Sequence, residues 1–96
     1  MPEVMSNISN CTMHTHQSGY LDSKVKHFIS LGMSIIIKCD ECIMHHVVAL
    51  YELGVSREEI CECLETAITL QSCPCIKYSQ LALDFYDELD SANDEE

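Results

Sequence analysis

The feature that most narrows what this chain can fold into is the stretch Lys38-Cys39-Asp40-Glu41-Cys42-Ile43-Met44-His45-His46, with the helical run to Leu53 behind it. Asp40 and Glu41 are acidic residues of the kind that favour the first turn of a helix, where they meet the positive end of its dipole. A helix opening there puts Cys39 near the N-cap and Cys42 in the first turn. His46 then lies one turn beyond Cys42 on the same face. A thiol so placed is biased towards the thiolate and has an imidazole within reach of its proton. The spacing therefore predicts a redox or peroxide-reducing dithiol that uses Cys39, Cys42 and His46.

Composition limits the alternatives. Ninety-six residues make one domain with a small core. A net charge of -11 argues against nucleic acid and anionic membrane surfaces, which both select for Lys and Arg. Met1-Pro2-Glu3 has no basic character and no apolar segment follows it, so no secretory signal is expected. The most apolar run, Phe28 to Ile37, is about half the roughly 20 residues needed to span a bilayer. The chain reads as soluble and cytoplasmic. Seven cysteines, an odd number, fit poorly with a secreted disulfide framework, and most should be thiols.

In chain order, residues 1–19 read as a flexible polar arm with no apolar period and at most a short helical piece, in which His14 and His16 could bind a metal or be incidental. Residues 20–90 read as a helical domain and 91–96 as an acidic disordered tail. Leu21-Asp22-Ser23 marks a helix start. Val25, Phe28, Ile29, Ile35 and Ile36 supply its apolar face, and His27, Ser30, Ser34 and Lys38 form a polar stripe that spacing alone assigns to solvent. A second helix is expected from Asp40 to Leu53, stopped by Gly54, with His45 on a polar stripe beside Glu41 and Glu52. Ser56-Arg57-Glu58-Glu59 is a capping box that opens a third helix. That helix should bury Ile60, Cys61, Cys63, Leu64, Ala67, Ile68 and Leu70, and end near Gln71 or Ser72. Cys73-Pro74-Cys75 suits a tight turn, its cysteines either packing or forming a strained disulfide. A last helix, to Leu89, shows one core stripe (Tyr78, Leu81, Ala82, Phe85, Leu89). A second apolar set (Ile76, Leu83, Tyr86) points to a homo-oligomer.

Taken together, Leu21-Asp22-Ser23-Lys24, Cys39-x-x-Cys42-x-x-x-His46, Ala49, Gly54, Ser56-x-x-Glu59-Ile60 and Leu81-Ala82-Leu83-Asp84 resemble the carboxymuconolactone decarboxylase/alkylhydroperoxidase D-like family. The resemblance runs from about Leu21 to Leu89. It implies an all-α fold of about four main helices around a central antiparallel hairpin, assembled as trimers or hexamers. It also implies that Cys42 attacks the peroxide, that Cys39 resolves the sulfenate into a disulfide, and that His46 belongs to a proton relay. A lipoylated or thioredoxin-like dithiol protein would then reduce the disulfide, with no cofactor. The family relay carries a Glu twelve residues before the first cysteine, and here that position is His27, also able to accept a proton near neutral pH. Glu41 stands where some members have a histidine.

Three other readings compete. Cys39, Cys42, His46 and His27 would make a tetrahedral zinc set. The family's lactone decarboxylation needs a cationic clamp, which five Lys and Arg residues hardly supply. A redox-inert scaffold would use its cysteines as core.

Overall fold

In the computed structural model, the described residues form five helices: α1 (Pro2–Thr15), α2 (Ser23–Ile37), α3 (Asp40–Glu52), α4 (Arg57–Leu70) and α5 (Ser72–Asp94). The structure describes residues 1–70 and 72–94, apart from the side chains of 72–75 and 94.

Local chemistry sets the helix starts. The Asp22 carboxylate accepts the Val25 N–H at 2.9 Å and opens α2. Lys38, in the left-handed region at φ 60°, closes it. Before α4 the expected capping box is present. Ser56 N–H donates to the Glu59 carboxylate at 3.1 Å, and Glu59 N–H donates back to the Ser56 hydroxyl at 3.2 Å. Gly54, at φ 81°, makes the turn that precedes it.

The all-α architecture is a packed unit of α2 to α5. α2 lies against α3, α4 and α5, while α3 and α4 each pack on α5. Only Lys38 and Cys39 separate α2 from α3, so these two helices form a hairpin. Leu31, Ile35, Ile43, Val47, Leu50 and Ile60 are completely buried at the centre. Each contributes about 1.5–3 kcal/mol by leaving water. The Tyr86 hydroxyl donates to the Val55 carbonyl at 2.8 Å and pins α5 to the α3–α4 connection. No described helix is long and apolar enough to cross a membrane.

Several expectations need correction. Pro2–Thr15 is one helix of 14 residues where a flexible arm with at most a short helical piece was expected. Its cues were Pro2 in the first turn, Glu3 beside it and a weak stripe of Val4, Ile8 and Thr12. α1 buries none of its residues and no stretch of its backbone runs close to another helix; it reaches α2 through side chains near its C-terminal end. The Cα radius of gyration, 13.8 Å, exceeds the roughly 12.5 Å typical of a chain this long, in keeping with a helix that adds nothing to the core. At the other end, α5 continues to Asp94 rather than stopping near Leu89. The Cys73-Pro74-Cys75 backbone lies within the first turn of α5, where proline is tolerated, and not in an inter-helix turn. Whether those two cysteines pack or pair lies outside the described residues.

Burial also differs in detail. Tyr86 belongs to the core, Leu70 is exposed, and Leu31 occupies the core position on α2. Leu21, Val25, Ile29, Met33 and Ile37, each four residues after the last, stay exposed as one apolar ridge. The stripe assigned to solvent turns inward instead: His27 and Ser34 are buried, and the Ser34 hydroxyl donates to the Ser30 carbonyl at 2.6 Å.

Candidate functional site

Cys39 is the N-cap of α3. Its backbone is extended, at φ -101° and ψ 99°, and its sulfur accepts the Cys42 N–H at 3.3 Å. Sulfur is a weak acceptor, so the cap is poorer than the usual oxygen. The two cysteines are joined as a disulfide, with Cα atoms 5.3 Å apart, inside the usual range for such bonds. Both are partly exposed. The bond closes over an intact first turn of α3, with Asp40 and Glu41 in that turn.

One turn further on, His46 is buried, and the inward face of α2 brings His27 to meet it. Their Nδ1 atoms stand 3.0 Å apart, so one ring donates and the other accepts. A third imidazole comes from the C-cap of α1. His16 stacks on His27 with ring centroids 4.5 Å apart, and its centroid lies 5.2 Å from that of His46. Thr12 fixes its tautomer: the carbonyl accepts from His16 Nδ1 at 2.9 Å, so Nδ1 carries the hydrogen. The Ser30 hydroxyl therefore donates to His16 Nε2 at 2.8 Å. Lys26 strengthens the tether by donating to the carbonyls of Thr15 and Gln17. His45 stays exposed and meets His46 edge-on, at 4.8 Å between centroids.

Burial, and then the neighbouring rings of His45, His27 and His16, push the His46 pKa down to about 4. Burial, reinforced by His16 and His45, also lowers that of His27. Both rings are neutral at pH 7. A ring held so low is a weak base, better at passing a proton along than at keeping one. Cys63 is a thiol of another kind. Burial pushes its pKa up to about 11, and it donates to the Phe28 carbonyl at 3.4 Å. It packs against the core as expected, whereas Cys61, also expected there, does not and lies beside exposed Arg57.

The structure thus gathers all four residues singled out from the sequence. Cys42, His27 and His46 line one cavity of about 810 Å³, roofed by Ile8, Thr12 and His16 of the α1 end. Cys39 is bonded at its edge. The proposed zinc set of Cys39, Cys42, His46 and His27 does not form, because both sulfurs are in the disulfide. His16 was legible only as one of two histidines in a polar stretch. Its neighbour His14 remains exposed and takes no part.

An all-α unit with paired cysteines at a helix start, backed by buried imidazoles, is the arrangement to set beside known proteins. The sequence pattern of the carboxymuconolactone decarboxylase family matches residues 2–83. The chain belongs to that family. It is similar to a family member from Thermotoga maritima for which a part in the antioxidative response has been suggested. The two share 29% identity with a TM-score of 0.88, over 96% of this chain and 95% of that one. A family protein from Legionella pneumophila, in its apo form, is 32% identical with a TM-score of 0.85, over 92% of this chain and 79% of that one. An uncharacterized protein of Cupriavidus necator is 27% identical over 90 residues, 94% of this chain and 80% of its relative.

Proposed function

We propose that the protein is a thiol–disulfide oxidoreductase that reduces hydroperoxides through Cys39 and Cys42. The observation that carries this reading is the Cys39–Cys42 disulfide, closed within a helix start and set beside the buried His27–His46 pair. The Cys42 thiolate attacks the terminal peroxide oxygen, the O–O bond breaks, and the alcohol departs with a proton. Cys42 is left as a sulfenic acid. The Cys39 sulfur attacks that sulfur, water leaves, and the disulfide forms. His46 and His27 take the proton that leaves the Cys42 thiol, and the same proton is the one returned to the departing alkoxide. A dithiol protein, lipoylated or thioredoxin-like, returns the two electrons by exchange.

The same reading includes a homo-oligomer, trimer or hexamer, which the exposed ridge from Leu21 to Ile37 supports. It also includes action in the cytoplasm, where thiols are kept reduced. Among the described residues no Lys or Arg lines the cavity beside Cys42, which disfavours the decarboxylation of a carboxylated lactone.

The test starts from fully reduced protein given one equivalent of hydroperoxide. Two of the seven thiols should disappear, and peptide mass analysis should place them at Cys39 and Cys42. If that disulfide does not form, or forms no faster than free cysteine reacts, the proposal fails.

A further inference from the structure

We propose that His16, His27 and His46 form a binding site for a divalent first-row transition-metal ion of the zinc class, with three imidazole ligands and one open position facing the cavity. This site takes no sulfur ligand but shares the cavity beside Cys42, and His27 and His46 with it; its ligands come from three elements: the end of α1, the second turn of α2 and the second turn of α3. One nitrogen from each ring lies within 4.8 Å of the others. Around a tetrahedral ion with bonds of roughly 2.0–2.1 Å, ligand nitrogens sit about 3.3 Å apart. His27 and His46 nearly meet that spacing already, at 3.0 Å. The remaining closure falls to His16, at the end of a helix that buries none of its residues and is held to α2 by Ser30 and Lys26.

The surroundings are those of a prepared ligand set. Metal-bound histidines usually donate their second N–H to a carbonyl or carboxylate, which fixes the tautomer. His16 does this through Thr12, leaving the Nε2 lone pair free to bind once Ser30 turns away. Between His27 and His46 a single hydrogen is shared, and an ion there would replace it. Imidazole suits zinc, copper, nickel and iron, and the open fourth position is the pattern of a metal that also takes water or a small oxygen ligand. Glu41 at the cavity wall adds negative charge nearby.

The test uses the whole protein with the Cys39–Cys42 disulfide closed, so its outcome does not depend on the redox reading. Zinc binding is followed by competition with a chromogenic chelator, and cobalt binding by its visible spectrum. The expected result is one equivalent bound, with a cobalt spectrum lacking the sulfur-to-metal charge-transfer band. His16→Ala should weaken binding at least about tenfold. Because α1 contributes nothing to the core, this variant should keep its far-ultraviolet circular dichroism. His14→Ala should bind as the unaltered protein does. No bound equivalent at submillimolar metal, a thiolate band, or a smaller loss in His16→Ala each overturns the site.

Discussion

The two inter-helix corners on either side of α3 have the same construction and different residues. Each needs one left-handed residue to reverse the chain, and then a cap to open the next helix. The corner before α4 uses Gly54 for the first and Ser56, answered by Glu59, for the second. Those are the residues that backbone sterics and capping chemistry favour. The corner before α3 uses Lys38 and Cys39. A side chain in the left-handed region is strained, and sulfur is a weak cap. One corner is built for stability. The other, on the proposed reading, gives up local stability to place a sulfur atom where it can react.

Substitution at the two corners should separate these roles. The largest effect is on chemistry: Cys42→Ser should abolish peroxide-driven loss of two thiols, and Cys39→Ser should leave Cys42 as a trapped sulfenic acid or mixed disulfide. Thiol counting and intact mass check both, and either variant that still lost two thiols would sink the assignment. At the stable corner, Gly54→Ala should cost about 1–2 kcal/mol, because nothing crowds the position and only the positive φ resists the new Cβ. Urea unfolding measures it, with thiol loss under peroxide unchanged. Ser56→Ala should cost about 1 kcal/mol by the same assay. At the reactive corner the sign reverses. Lys38→Gly should gain about 0.5–1 kcal/mol, since relief of roughly 1–2 exceeds glycine's own entropic penalty. Smallest of all, Cys39→Ser in reduced protein should shift stability by no more than about 0.5 kcal/mol, a hydroxyl being at least as good a cap. A clear loss there would mean that the sulfur stabilises the fold as well as reacting.

The same contrast explains what the sequence disclosed. Gly54, Ser56 and Glu59 act locally, within four residues, and local chemistry is readable from sequence alone. Cys39, Cys42 and His46 were legible for the same reason, since one helix turn relates them. His27 was harder. Spacing showed that it shared a stripe with Ser30 and Ser34 but not which neighbour the stripe would meet, and only the family resemblance turned it inward. Tyr86 was misplaced likewise, because the Val55 carbonyl it binds belongs to a distant corner. α1 shows the opposite limit: a helix that buries nothing leaves only a faint apolar period, so neither its existence nor the reach of His16 stood out.

The N–H of Cys42 keeps its contact with the Cys39 sulfur while the two sulfurs are bonded. Nothing in the main chain has to unravel for the cross-link to exist. If the proposed chemistry holds, turnover demands only that side chains pivot about fixed anchors, and its speed should follow solvent access and thiolate supply, not the rate at which a segment melts and reforms.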